Sequence, residues 1–180
     1  MCWHPVETIS LPASLNAWLT ERGSLTKKFR AALGENYQLT LLGESFQPIG
    51  ESDAMILNLP IGEKVKIREI FMGKKNKPLI YCRTYLPQKI LNNKTLGLDQ
   101  LGGNSLGDVL FQEATLKRSA IFVKQLTETD VLFQTLKQHI KPTTLTQKPW
   151  ARYSVFSIDG DSLLVFEVFF TDFYPNVSAQ

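Results

Sequence analysis

The sequence predicts an α+β fold built on a mostly antiparallel sheet. Segments with helical spacing come early in the chain, whereas segments with strand character dominate its second half. The alternation of strand and helix that a parallel nucleotide-binding sheet requires is missing. With 180 residues of one uniform composition, the chain is expected to form a single domain over residues 1–180.

The helices are indicated by apolar side chains that recur at helical spacing. Residues 13–20 have this spacing, and Ser24 is placed to cap a second helix that follows directly. A short helix is predicted near residues 105–114. Thr127 is expected to cap a last helix with Asp130 in its first turn, where an acid interacts favourably with the helix dipole.

The strands are indicated by runs of apolar and β-branched residues between turn signals. Residues 36–46 predict a strand that bends at Gly43, and residues 64–86 predict a hairpin around the turn sequence GKKNK. Residues 115–126 indicate a further strand. A final hairpin is predicted over residues 150–173, joined by an Asp-Gly turn.

Composition and charge exclude several classes of partner. The net charge is only +3, and no dense Lys/Arg cluster predicts a nucleic-acid surface; the small positive excess slightly favours an anionic small molecule. Cys2 and Cys82 form no disulfide framework, which indicates reduced thiols and a cytoplasmic protein. Neither a signal peptide nor an apolar run of the ~20 residues that span a bilayer is present, so no membrane insertion is expected.

The usual catalytic constellations are missing from the sequence. The only histidines are His4 and His139, and neither lies beside a nucleophile motif. No His, Cys, Asp or Glu cluster has metal-ligand spacing, and no phosphate-binding glycine loop follows a strand. An enzyme with this sequence is therefore expected to work without a metal or an organic cofactor.

One acid occupies an unusual position in the last predicted strand. Glu167 lies in DGDSLLVFEVFF, where both alternating rows are apolar, so the strand should be covered on both sides and the carboxylate buried. Arg68 and Arg83 are flanked by apolar or aromatic residues in the first hairpin and are the natural partners of this acid. An ion pair within the sheet and a site for an anionic ligand both fit this pattern.

Five segments, in this order and spacing, resemble the chorismate pyruvate-lyase family, also called 4-hydroxybenzoate synthases. They are GSLTKKF, IREI, CRTYLP, LGGNSLGDVLF and DSLLVFEVFF, and the resemblance spans residues 15–172. It implies a six-stranded antiparallel sheet with helices over one face and a ligand cavity closed from solvent. It also implies cofactor-independent conversion of chorismate to 4-hydroxybenzoate and pyruvate for quinone biosynthesis (ubiquinone or plastoquinone).

The resemblance assigns ligand contacts to particular residues. The family's ligand-binding arginine falls on Arg68, its glutamate on Glu167, and a leucine whose backbone N–H meets the ligand on Leu106. Leu25 takes the place of an apolar wall residue. The sequence NSL replaces the TPL common before the shared Gly107, which bears on the rigidity of this loop.

These assignments predict how chorismate is held. Arg68 and the Leu106 amide are expected to bind the ring carboxylate, and Glu167 to accept a hydrogen bond from the ring hydroxyl or to act as a general base. Arg83, with Arg152 as the alternative, is expected to bind the enolpyruvyl carboxylate. Arg118 is expected to be a solvated strand residue, with a contact to the ligand as the alternative. Because one pair of anchors binds substrate and product, product inhibition is expected.

Two other functions remain open from the sequence. One is a non-catalytic domain that binds a small anionic effector, since the implied fold resembles the effector-binding domain of a class of bacterial repressors. The other is a related lyase that makes a different hydroxybenzoate. In each case a small molecule is the expected partner and a monomer the expected state.

Overall fold

The computed structural model describes residues 2–141 and 148–170, and its central feature is an eight-stranded sheet in which every pair is antiparallel. The strands are β1 (His4–Pro5), β2 (Tyr37–Pro48), β3 (Lys64–Lys74), β4 (Lys77–Pro87), β5 (Lys117–Arg118), β6 (Phe122–Gln125), β7 (Trp150–Ile158) and β8 (Asp161–Phe169). Their order across the sheet is β1-β6-β7-β8-β4-β3-β2, and β5 pairs with β7 beside β6. Strands β7, β8 and β4 therefore lie at the centre, and the longest strand, β2, forms one edge.

The helices are α1 (Ala13–Leu19), α2 (Leu25–Leu33), α3 (Glu51–Leu57), α4 (Gln88–Leu91), α5 (Leu106–Leu110) and α6 (Val131–Lys137). Short 3₁₀ turns occupy Val6–Thr8, Gly34–Asn36 and Leu98–Gln100. The predicted helices at residues 13–20, after Ser24 and near residues 105–114 are confirmed as α1, α2 and α5, although α5 ends earlier than predicted. Ser24 caps α2 as predicted, because its hydroxyl accepts a hydrogen bond from Lys27 N.

The turns and the bend explain the register of the sheet. In the last hairpin, Asp159 (φ 52°) and Gly160 (φ 91°) both adopt positive φ, as a two-residue hairpin turn of the favoured hand requires. In the first hairpin, a Cβ on Gly73 would lie only 2.6 Å from Leu79 N, so the chain needs glycine at that position. The register of β2 against β3 shifts between Leu41 and Gly43, which confirms the predicted bend.

Apolar side chains cover both faces of the sheet. On the first face, α1, α2, α4 and α5 pack against even-numbered residues of β3 and β4, such as Ile70 and Leu86. On the second face, α3 packs against Val65 and Phe166, and α6 packs against Val168. Every residue from 163 to 169 of β8 is buried, as predicted for a strand that is covered on both sides.

The predicted α+β class with an antiparallel sheet is confirmed, and the structure adds details that the sequence did not indicate. The two strands beyond the expected six are the two-residue strands β1 and β5. Helices cover both faces rather than one, because α3 and α6 pack on the second face. The segment 115–126 contains β5 and β6, not one strand. The predicted part of the last hairpin beyond Phe170 lies outside the described residues.

The prediction that Thr127 caps α6 is wrong. Asp130 is the N-cap residue, and its carboxylate accepts hydrogen bonds from both the backbone N and the side-chain Oγ1 of Thr127, at 2.7 and 2.9 Å. Thr127 is therefore the donor that orders the turn before the helix. A threonine followed three residues later by an acid is compatible with either residue as the N-cap, and only the backbone conformation shows which of them it is.

Candidate active site

A cavity on the first face lies between α2, α5 and the sheet. Together with its opening to solvent it measures about 500 Å³. Its apolar lining includes Leu25, Ile70, Met72, Leu106, Leu110, Phe111, Phe156 and Val165. Its charged lining consists of Arg68, Arg118, Arg152 and Glu167. An apolar slot with a few converging charged groups is the usual character of a small-molecule site.

The N-termini of two helices meet at one wall of this cavity. Ser24 caps α2 and Ser105 caps α5, and the Ser105 hydroxyl donates a hydrogen bond of 2.8 Å to Thr26 Oγ1, which joins the two helices. A Cβ on Gly107 would lie 2.8 Å from Ser24 Oγ, so only glycine allows this close approach. The first N–H groups of a helix have no acceptor within it and carry partial positive charge, so the Leu106 amide is available to an anion.

Arg68 projects into the cavity from β3 and is 1% exposed. Its Nη2 donates hydrogen bonds to the carbonyls of Gly102 and Asn104, at 2.9 and 2.7 Å, which ties the loop before α5 to the sheet. Its Nε lies 3.4 Å from Glu44 Oε1, yet both atoms lack a hydrogen-bond partner among the described residues. Glu44 also pairs with Lys66 at 2.8 Å, so the cluster keeps a net positive charge. Burial lowers the pKa of Arg68, although the Glu44 charge opposes this.

Glu167 lies across the sheet from Arg68 on β8. In the sheet register Arg68 pairs with Thr84 and Glu167 pairs with Cys82, so they are two strands apart and offset by two residues. With strands ~4.8 Å apart and a rise of ~3.4 Å per residue, their Cα atoms are about 12 Å apart. Both side chains point to the first face and line the same cavity.

Arg152 neutralises Glu167 and is committed to this role. The two residues pair across β7 and β8, and Arg152 Nε donates to Glu167 Oε2 at 2.5 Å. Its Nη1 donates to the carbonyls of Trp18, Leu19 and Glu21, at and just after the end of α1. Arg152 therefore positions Glu167 and anchors the α1–α2 connection.

Arg118 is also a cavity residue, so the expectation that it is solvated is wrong. Its side chain is 11% exposed, and its guanidinium lies over the ring of Phe156 at 4.8 Å. Its Nη2 is 4.0 Å from Glu167 Oε2. Burial lowers the pKa of Arg118 to about 10, although the negative charge of Glu167 opposes this shift. A two-residue strand beside a loop gave no sequence signal for this position.

Arg83 lies on the second face of the sheet, which corrects its expected contact with the ligand. Its Nη1 donates to Glu69 Oε1 at 2.6 Å and its Nε to the Tyr85 hydroxyl at 3.0 Å. Its strand neighbours Cys82 and Thr84 line the cavity, so strand alternation places Arg83 on the other side. The sequence showed which residues share a face of each strand, but not which face carries the cavity.

Neither a metal cluster nor a membrane span is found in the part of the chain that the structure describes. Over residues 2–141 and 148–170, no group of three or more His, Cys, Asp or Glu side chains is arranged to hold a metal ion. None of the helices in these ranges is long and apolar enough to cross a bilayer. His139 lies on the second face, 3.6 Å from Glu69.

The chain is similar in sequence to known proteins. The chorismate lyase family model matches residues 1–178. The "probable chorismate pyruvate-lyase" of Nitrosospira multiformis is 30% identical and covers 93% of this chain and 91% of its own length. The protein of the same name from Halorhodospira halophila is 34% identical, with 86% and 80% covered.

Two solved structures illustrate the similarity of fold. The effector domain of PhnF from Mycobacterium smegmatis matches with a TM-score of 0.56 and 17% identity, over 83% of this chain and 90% of that chain. A PhnF C-terminal domain matches with a TM-score of 0.56 and 14% identity, over 79% and 87%. At these identities the likeness concerns the fold alone.

Proposed function

Because the chain belongs to the chorismate lyase family, we propose that it converts chorismate to 4-hydroxybenzoate and pyruvate. The observation that carries this proposal is the pair of opposite charges in one cavity: Arg68 at one end and Glu167 at the other. Chorismate has a ring carboxylate and, across the ring, a hydroxyl group. These two groups match the two ends of the cavity.

Arg68 and the Leu106 amide bind the ring carboxylate. Two nitrogens of Arg68, Nε and Nη1, donate no hydrogen bond to the described residues, and the guanidinium keeps a net positive charge beside the shared Glu44. A carboxylate takes up such donors in charge-assisted hydrogen bonds. The N-termini of α2 and α5 add partial positive charge at the cavity wall.

Glu167 accepts a hydrogen bond from the ring hydroxyl. Its Oε2 is occupied by Arg152, whereas its Oε1 has no hydrogen-bond partner within the described chain. Arg152 fixes the carboxylate in place, so the substrate ring is held by an acceptor that does not have to reorganise. This arrangement favours Glu167 as an orienting anchor over Glu167 as a mobile general base.

The reaction needs little further help from the protein. The bond between ring carbon C3 and the ether oxygen breaks, and the hydrogen on C4 moves as a proton to the methylene carbon of the enolpyruvyl group. The methylene becomes the methyl group of pyruvate, and the ring becomes aromatic with its hydroxyl retained. Aromatisation supplies much of the driving force, and the cavity holds the reacting atoms in a near-attack geometry. The 4-hydroxybenzoate produced is a quinone ring precursor.

Incubation of the purified protein with chorismate tests this function. Equal amounts of 4-hydroxybenzoate and pyruvate, identified by chromatography, are the expected products. Binding of chorismate without turnover would favour the effector-domain alternative, whose fold relatives are regulatory. Formation of another hydroxybenzoate would favour the related-lyase alternative.

A matched pair of variants tests the site itself. Arg68→Met removes a cation that lines the cavity, whereas Arg83→Met removes a buried cation from the second face of the same hairpin. We expect Arg68→Met to lower kcat/KM by about 30-fold or more, since truncating one partner of a buried charge pair costs about 2–5 kcal/mol. Arg83→Met is expected to leave kcat/KM unchanged; an equal loss in both variants would contradict the site assignment.

A further inference from the structure

Arg118 has one nitrogen that the protein does not use. Its Nε donates to Ser154 Oγ at 3.0 Å, and its Nη1 donates to the Arg22 carbonyl at 2.8 Å. Its Nη2 donates no hydrogen bond to the residues that the structure describes, and its nearest charged partner is Glu167 Oε2 at 4.0 Å. The guanidinium is thus held in place by two nitrogens while the third lies at the cavity.

The charges at this end of the cavity do not balance. Arg118 and Arg152 carry two positive charges, and Glu167 is the one carboxylate among the described residues that line the cavity. The Glu21 carboxylate also lies near both arginines, but it pairs with Lys28 at 3.0 Å. Arg152 is paired directly with Glu167, because its Nε donates to Glu167 Oε2 at 2.5 Å, and its Nη1 donates to three backbone carbonyls. Arg118 donates no hydrogen bond to a carboxylate of the described residues and lies 4.0 Å from Glu167, so the surplus positive charge lies on Arg118. A desolvated surplus cation is unfavourable without an anion beside it.

The proposed substrate brings a second anion to this place. In chorismate the hydroxyl and the enolpyruvyl ether are on adjacent ring carbons, and the ether carries a carboxylate. When Glu167 accepts the hydroxyl, the enolpyruvyl carboxylate must lie beside Glu167 and not at the Arg68 end. Arg118 Nη2 also lies beside Glu167, 4.0 Å from its Oε2, and is therefore near the expected position of this carboxylate.

We propose that Arg118 binds the enolpyruvyl carboxylate and thereby selects the dianionic substrate over the monoanionic product. This inference rests on the proposed function and replaces Arg83 in the role that the sequence suggested for it. The proposed role of Arg118 also has a consequence for product release. When the ether bond breaks, the second carboxylate leaves with pyruvate, so Arg118 contributes to substrate binding but not to the binding of 4-hydroxybenzoate.

Kinetics of Arg118→Gln and Arg118→Lys test the proposal. The glutamine removes the charge, and the lysine keeps it. We expect Arg118→Gln to lower kcat/KM for chorismate by about 30-fold or more, while the inhibition constant for 4-hydroxybenzoate changes less than about threefold. Arg118→Lys should recover part of the loss. Equal losses for substrate and product, or an unchanged kcat/KM, would overturn the proposal, because a residue that only supports the loop would affect both ligands alike.

A ligand comparison with the unmodified protein gives an independent readout if Arg118→Gln does not fold. Calorimetry compares the binding affinities of two derivatives of 4-hydroxybenzoate. One carries a carboxymethoxy group and the other a methoxy group on the ring carbon next to the hydroxyl. Tighter binding of the carboxymethoxy compound is expected, by about tenfold or more for one charge-assisted contact. Equal or weaker binding would overturn the proposal. Absent turnover of chorismate by the unmodified protein would instead overturn the proposed function.

Discussion

Replacement of Glu167 by glutamine removes one negative charge and almost no volume. The carboxylate is the counter-charge of the fully buried Arg152 and lies 4.0 Å from Arg118. In the Glu167→Gln variant, the positive charges of Arg152 and Arg118 repel each other without the carboxylate that offsets this repulsion. We therefore expect this variant to lose stability as well as activity.

The magnitude follows from the distances. A unit charge pair at 4 Å is worth about 4 kcal/mol at an effective dielectric constant of ~20, and breaking a buried pair by removing one partner costs about 3–5 kcal/mol. The glutamine oxygen still accepts a hydrogen bond from Arg152 Nε, which recovers about 1 kcal/mol. The expected loss in the free energy of unfolding is about 3 kcal/mol, or about 6–12 °C in Tm for a chain of this size.

Glu69→Gln is the matched control on the second face. Glu69 pairs with Arg83 at 2.6 Å, and its side chain is 15% exposed against 11% for Glu167. Both variants should lower Tm by similar amounts in differential scanning calorimetry. Only Glu167→Gln should lower kcat/KM for chorismate, by about tenfold or more, because a hydrogen bond to a charged group contributes about 1.5–3 kcal/mol. An unchanged Tm in Glu167→Gln, or equal kinetic losses in both variants, would refute this reasoning.

Two further predictions concern the cavity wall and the product. Gly107→Ala places a Cβ 2.8 Å from Ser24 Oγ. The Ser24 side chain must move to make room, so the N-terminal ends of α2 and α5 should move apart. We expect kcat/KM of Gly107→Ala to fall about tenfold or more, since small displacements of positioning groups are costly. Gly103→Ala is the control: its Cβ meets nothing within 4 Å, so kcat/KM should be unchanged. Comparable rates for the two alanine variants would argue against a role of this wall. Initial rates measured with added 4-hydroxybenzoate should show competitive inhibition, because Arg68 and Glu167 bind both compounds; unaffected rates at high product would argue against shared anchors.

The sequence predicted those features that depend on local chemistry. The Asp-Gly turn, the Ser24 cap and the two apolar rows around Glu167 all act within a few residues, and each is present in the structure. The helix α3 was missed because it gives weak local signals: Ala54 and Leu57 are its only buried residues, and its N-cap residue Gly50 has no side chain to cap it.

The site could be predicted only in part, because its charges are brought together by strand register. Arg68 and Arg83 occupy similar positions in their strands, yet the pairing of β3 with β4 places them on opposite faces. Arg118 and Arg152 reach Glu167 from β5 and β7, and these contacts depend on the order of the strands across the sheet. Neither register nor strand order follows from residue spacing.

A crystal structure determined after soaking the protein with chorismate tests the central claim most directly, since it reports both turnover and the position of the ligand. The account predicts 4-hydroxybenzoate in the cavity, with its carboxylate on Arg68 and the Leu106 amide and its hydroxyl on Glu167. Intact chorismate in the cavity, a planar ligand bound elsewhere, or a carboxylate seated against Glu167 would contradict it.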